Sequence, residues 1–421
     1  MAANKIINVN LFEQEIGRIG VDENENKSSF HYNKEFLKSD ALSNIFPTTG
    51  ILRRTEYAQI FSEFNGETFK GIPPQFADSL PDMFGSIIFK AWMKSTEQQK
   101  ISVLEQLAYV GNRGMGALEY SPIKELPKDS SIELDQIIEV LKEVLNLKKS
   151  SGQKNLDSQA LLNIFKIGTS AGGARPKILI SENKETENII AGDLEYSDRY
   201  HHYLVKLAID DDINYSREVI EYCYYLTLKE AGIRMMDSKL IDDKHFATLR
   251  FDRTGGEKHH VLTASGMTGW DFKRPENSSY ENLFKLSSFL KVSQAHIEEL
   301  FKRMIFNVVY GNTDDHLKNH SFIYNRASNR WGLSPAYDVT FALNPLMNFK
   351  NPKRALSING KRNNILLSDV LKIARDFTIK NPKGVIKEVE GLKGTLLKRF
   401  KEFDIPPAVS ESIDESLATI I

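Results

Sequence analysis

Residues 295–339 constrain the fold more than any other stretch of this chain. From Ala295 to Tyr310 apolar residues recur at spacings of three and four, the pattern of a helix with one buried face. A polar cluster follows, 311–320 (GNTDDHLKNH). Residues 321–324 and 330–333 then read as two short strands around Arg326-Ala327-Ser328-Asn329, a hairpin that carries Tyr337-Asp338-Val339 back toward Asn319. Helix, polar loop and hairpin in this order gather side chains from distant positions at one place.

The rest of the chain reads around that core. Residues 5–12, 16–21 and 28–32 are short strands set off by glycines and an Asp-Glu-Asn-Glu-Asn turn. From 74 to 107 the period becomes helical, with Phe84, Ile87, Ile88, Ala91 and Trp92 on one face. Residues 109–120 form a glycine-punctuated turn into a strand, 134–147 a further helix, and 148–157 (KKSSGQKNLD) a polar linker. A glycine-rich stretch, 168–177 (GTSAGGARPK), runs into a β-like segment at 178–180, and 202–208 (HYLVKLA) alternates as a strand. Ser216 caps a helix closed by Gly232, and 248–253 (TLRFDR) is a short strand and connection. Beyond about Thr254 the chain is mostly helical.

At 421 residues the chain is long enough for two or three domains of roughly 100–200 residues each. Its net charge of -1 lacks the basic excess of a protein that lives on nucleic acid. With Cys223 as the one cysteine, neither a disulfide framework nor a cysteine zinc site is available. No apolar run approaches the roughly 18 residues of a membrane span, and the N-terminus does not read as a signal peptide. The expected location is cytoplasmic.

Asp314 precedes Asn319 by five positions, the spacing of base and metal ligand in the kinase loop D-x-x-x-x-N. Phosphoryl transfer needs a carboxylate for the incoming hydroxyl proton and oxygen ligands for Mg²⁺. Asp314 and Asn319 suit those roles, and Asp338 adds an anionic metal ligand. Asp315 competes with Asp314, and an ordinary hydrophilic helix end has the same composition. Lys206 sits in an apolar strand, and Glu221 in a helix fifteen residues on; kinases pair such residues to hold ATP phosphates. A lysine reaching out to water and a solvated glutamate are the alternatives. The glycine-rich loop is not a Walker A motif, yet Gly172 and Gly173 would let backbone N–H groups approach phosphate. His201, His202, His259 and His260 read as structural or exposed, and His316 as a brace of the 311–320 loop.

These residues resemble the HipA-type toxin serine/threonine kinases of bacterial toxin–antitoxin systems. Ser170-Ala171-Gly172-Gly173-Ala174-Arg175-Pro176-Lys177 looks like that family's phosphate loop, and His202-Tyr203-Leu204-Val205-Lys206 its ATP-lysine strand. Arg250-Phe251-Asp252-Arg253 matches its R-F-D-R hinge, residues 311–319 its G-x-T-D-x-H-x-K-N loop, and Pro335-Ala336-Tyr337-Asp338-Val339 its metal-binding motif. Residues 76–82 (FADSLPD) and the turn at 111–118 are similar to its N-terminal motifs. Asp315 departs from a frequent glycine, and Arg175-Pro176 from a frequent Gln-Glu.

The resemblance implies an α+β, protein-kinase-like two-lobed fold: a β-rich ATP-binding lobe, a helical C-terminal lobe and a small N-terminal α+β accessory domain. The expected domains are 1–125, 126–255 and 256–421. It further implies an ATP·Mg²⁺-dependent serine/threonine protein kinase with Asp314 as base and Asn319 and Asp338 as metal ligands. ATP would be bound by Lys206, Glu221, Gly172, Gly173, Lys177 and His316, with the hinge backbone of Leu249 and Phe251 at adenine. Ser170 would be autophosphorylated and silence the enzyme. The implied partners are a HipB-like helix-turn-helix antitoxin, DNA only through it, and a protein substrate such as an aminoacyl-tRNA synthetase, with no membrane. A small-molecule phosphotransferase of the aminoglycoside kinase type and a catalytically idle co-repressor are the competing readings.

Overall fold

A computed structural model describes residues 6–22, 27–40, 42–47, 51–81, 101–123, 175–192, 197–209, 214–347 and 352–420. Expectations for the helical face at 84–92, the helix at 134–147, the linker and the glycine-rich loop with Ser170, Gly172 and Gly173 lie outside them. Helices and antiparallel sheets are mixed along the chain. It divides into two compact units, one of residues 1–209, 247–262 and 266–269, the other of 210–246, 263–265 and 270–421.

The first unit opens with β1 (Ile6–Leu11), β2 (Gln14–Asp22), β3 (Lys27–Tyr32), β4 (Gln59–Phe61) and β5 (Leu118–Ser121), in the order β4-β3-β2-β1-β5. In β3 every second residue is buried, as in a sheet with one face on a core. Phe30 stacks obliquely on Phe76, which the short helix Pro74–Ala77 supplies. The helical period read from 74 to 107 is broken among the described residues: one helix stops at Ala77, and the described helix Val103–Val110 starts at a Ser102–Glu105 capping box.

Further along the same unit, β6 (Lys177–Asn183) lies between β7 (Ile189–Ala191) and β8 (Tyr200–Lys206), antiparallel to both. His202 on β8 is buried and shares a 2.8 Å hydrogen bond with Ser181 on β6, a structural role. The R-F-D-R segment is tied to this sheet by the Arg250 N–H, which donates to the His202 carbonyl at 2.8 Å.

In the second unit Ser216 caps the helix Arg217–Glu230, its hydroxyl accepting from the Val219 N–H at 3.2 Å. The helix Gln294–Val309 buries an aromatic face: Phe306 stacks on Tyr310 at 4.1 Å, and Tyr224 donates to the Tyr310 carbonyl. Strands Ser321–Asn325 and Arg330–Leu333 form a hairpin in which Phe322 pairs with Leu333. Four helices of ten residues each close the chain, from Leu367–Asp376 to Pro407–Ser416. Among the described residues no helix is long and apolar enough to cross a membrane.

Candidate active site

The site in the second unit begins where the helix Gln294–Val309 ends. Gly311 takes φ +66, a left-handed conformation that a side chain would strain, and turns the chain into the 312–316 loop. The Asp314 side chain is 66% exposed, whereas that of Asp315 is wholly buried.

Asp315 anchors the loop. Its carboxylate accepts from Arg354 Nη1 at 3.0 Å, Tyr280 Oη at 2.8 Å, and the N–H groups of Ala355 and Leu356 at 3.1 and 3.2 Å. Burial pushes this carboxyl up, and the Arg354 guanidinium, the Leu356 N–H and the Tyr280 hydroxyl pull against it. All four lone-pair positions meet donors, so a proton placed there has no acceptor to serve. The Ala355 N–H also reaches the Thr313 carbonyl at 2.8 Å, which fixes the backbone just before Asp314.

Asn319 sits in a single 3₁₀ turn, Leu317–Asn319, and its Nδ2 donates to the Asp314 carbonyl at 2.8 Å. That bond orients the amide and turns Oδ1 away from the loop. The hairpin returns the chain to the same place. The Tyr337 hydroxyl donates to the Lys318 carbonyl at 2.8 Å and bonds Ser321 Oγ, which brings the next residue, Asp338, to the pocket that Asn319 lines. Asp338 takes φ +53, so its side chain is aimed by an uncommon backbone conformation. His316 packs its ring on Phe272 at 4.8 Å, with Nε2 3.7 Å from Asp314 Oδ1.

Asn312 and His320 carry no role in the sequence reading, although both flank its motif. They line the same pocket, which has a volume of about 10 Å³, and Asn312 Oδ1 and His320 Nε2 are buried without a hydrogen-bond partner. Burial, the Arg303 guanidinium and His316 push the His320 imidazole down to about 3, so it is neutral. Oxygen donors from Asn319 and Asp338 fit a hard cation such as Mg²⁺, which is commonly held by one or two carboxylates and substrate phosphates. Among the described residues no group of three or more His, Cys, Asp or Glu forms a cage that would hold a metal unaided.

Glu221 belongs to this unit too, fully buried in the helix Arg217–Glu230. In the other unit Lys177 and Lys206 face each other as register partners on β6 and β8. Directly opposed residues of an antiparallel pair share a face, and both lysines are buried, at 2% and 6% exposure.

Leu249 and Phe251 are half-buried in the segment where Arg250, Asp252 and Arg253 are buried. Those three charged residues grip the glycine turn of the N-terminal sheet. The Gly116 N–H donates to Asp252 Oδ2 at 2.8 Å, and Arg253 donates to the carbonyls of Gly116 and Gly114 at 2.8 Å. Arg250 forks onto Asp252 at 3.0 and 2.9 Å. Burial alone would raise the Asp252 pKa, but the two guanidiniums and these hydrogen bonds hold it well below the usual carboxylate range. Gly116 has φ +80, and a Cβ there would meet the Val261 carbonyl at 2.9 Å, so the turn admits only glycine.

Comparison with known proteins meets this geometry at both ends of the chain. The HipA-like C-terminal domain matches residues 169–396, more than half of the sequence, and the HipA N-terminal domain matches residues 7–121. The chain belongs to the HipA family. Its fold is similar to that of HipA in the Shewanella oneidensis MR-1 complex of HipA, HipB and operator DNA, at TM-score 0.61 and 14% identity, over 97% of this chain and 95% of that one. The Helicobacter pylori proinflammatory kinase CtkA aligns over 51% of this chain and 85% of its own at 10% identity and a TM-score of 0.36. No curated protein matches this HipA-family chain by sequence.

Proposed function

We propose that this HipA-family protein is an ATP·Mg²⁺-dependent serine/threonine protein kinase that acts as the toxin of a toxin–antitoxin module. One observation supports the reading above the rest. Asn319 and Asp338 line one pocket, while Asn319 is bonded to the backbone of the solvent-exposed Asp314. Base and metal ligands are thus held in one short piece of the second unit.

In this reading the acceptor hydroxyl oxygen bonds the γ-phosphorus as the bridging P–O bond to ADP breaks, and its proton passes to Asp314. The exposure of Asp314 suits an acceptor on a macromolecule, which has to reach the base from outside. Asn319 and Asp338 would hold Mg²⁺, which neutralises phosphate charge when bound. Asp315 keeps Asp314 in place through its bonds to residues 354–356. Lys206 and Lys177 are proposed to bind the ATP phosphates, with Glu221, Gly172, Gly173 and His316 in support and Leu249 and Phe251 presenting backbone to adenine. Ser170 is the proposed autophosphorylation site. The proposed partner is a HipB-like helix-turn-helix antitoxin that brings the protein to DNA. The proposed substrate is a translation protein of the aminoacyl-tRNA synthetase kind, and the proposed location is the cytoplasm.

The test is incubation of the purified protein with ATP and Mg²⁺, alone and with added cell extract, followed by intact and peptide mass spectrometry. A phosphate on Ser170 of the wild-type protein is the expected result. Absence of phosphate from this chain and from every protein of a cell extract would overturn the kinase reading.

A further inference from the structure

A directed chain of buried hydrogen bonds ends beside Asn319 and Asp338. Its direction is set at Asp315. Arg354 and two backbone N–H groups can only donate, and Tyr280 completes the four donors on that carboxylate. Having given its proton to Asp315, Tyr280 accepts from Asn307 Nδ2 at 2.9 Å. Asn307 Oδ1 is then the atom that accepts from Asn312 Nδ2, at 3.0 Å. Asn312, itself 2% exposed, is therefore locked with Oδ1 pointing away from this chain, where no protein group meets it.

His320 stands in the same condition. Its Nε2 is buried and without a hydrogen-bond partner, and a neutral ring with its hydrogen on Nδ1 presents a lone pair there. Both residues line the pocket with Asn319 and Asp338, and its volume of about 10 Å³ is close to what one water molecule needs. A single ligand that donates twice would satisfy both acceptors.

We propose that the pocket is a binding site for a single water molecule, which donates one O–H to Asn312 Oδ1 and the other to His320 Nε2. With both protons committed, its lone pairs are left for the rest of the lining, which includes Asn319 and Asp338. A divalent cation held by those two residues thereby gains an oxygen ligand oriented by the protein. This last step rests on the metal reading given above, whereas the water site stands without it.

A crystal structure at about 1.2 Å, grown without divalent metal, decides the water site. One oxygen peak within about 3.2 Å of both atoms is expected. A dry pocket, or Asn312 with Nδ2 turned into it, overturns the proposal. Nitrogen-15 NMR of His320 at neutral pH is expected to report the Nδ1–H tautomer, and the Nε2–H tautomer overturns it equally. For the link to the cation, Mn²⁺ is titrated in the presence of ADP and followed by electron paramagnetic resonance. Asn312→Leu and His320→Phe each remove one acceptor, and each is expected to weaken Mn²⁺ binding by about tenfold or more in protein whose circular dichroism matches wild type. Wild-type affinity in both variants overturns the water's role at the cation. If Asp338→Ala also binds Mn²⁺ normally, the metal reading fails instead, and the crystallographic result still decides the water.

Discussion

Asp314 and Asp315 are adjacent carboxylates with opposite surroundings, and the two should fail in opposite ways. Asp314→Asn keeps the shape of an exposed side chain and removes its ability to take a proton. Phosphotransfer is expected to fall by about 10²–10⁴, with the urea unfolding midpoint unchanged. Asp315→Ala strips the buried Arg354 of its counter-charge and leaves two buried N–H groups without their acceptor. A stability loss of about 3–5 kcal/mol is expected, read from urea unfolding of the same samples. An inactive Asp315→Ala of normal stability beside an active Asp314→Asn would exchange their roles. Spacing to Asn319 favoured Asp314 from the sequence alone. The inward turn of Asp315 was not legible there, because its partners lie 35 to 41 residues away.

Among the elements, the grip of Arg250, Asp252 and Arg253 on the 114–116 turn is the clearest long-range tie of the first unit. Asp252→Asn removes the charge of the carboxylate that bridges two buried guanidiniums. It is expected to cost about 3–5 kcal/mol and to raise hydrogen exchange at the Gly116 amide, whose acceptor is weakened. Unchanged exchange there would show that the tie does not hold the turn. Local punctuation made most elements readable in advance: Ser216 with Gly232, the alternation of 28–32, and the four turn residues of the 321–333 hairpin. The tie was not readable, since its halves stand 136 residues apart and a run such as R-F-D-R says nothing of what it touches. The break at Ala77 was missed for a different reason. Apolar residues continue at helical spacing past it, and periodicity does not reveal where a chain turns under tertiary packing.

For the whole molecule, each unit carries a buried neutral histidine, and acid should find both. Burial pushes His260 down to about 4 and His320 to about 3, against about 6.5 in an unfolded chain. Below about pH 6.5 the unfolded state binds protons that the folded state refuses. Stability is therefore full above that pH and falls on acidification by up to about 1.4 kcal/mol per pH unit for each histidine, until the folded pKa is passed. Asp252 is the mirror case: its contribution is full above the unfolded carboxyl pKa of about 3.9 and is lost only below it, as pH falls toward the depressed folded value. Urea unfolding at pH 7.5 and 5.0 is expected to show the loss, and His260→Gln to reduce it; a pH-independent midpoint would reject the assignment. The opposed lysines on β6 and β8 carry a consequence of another kind. If they bind the phosphates of ATP as proposed above, the bound anion stabilises the strand pair that presents them. Folding and polyphosphate binding are then two readings of one equilibrium: each tenfold rise in free ligand above its dissociation constant deepens the native well by about 1.4 kcal/mol. On that proposal the melting temperature of this protein becomes a gauge of how much nucleotide its surroundings contain.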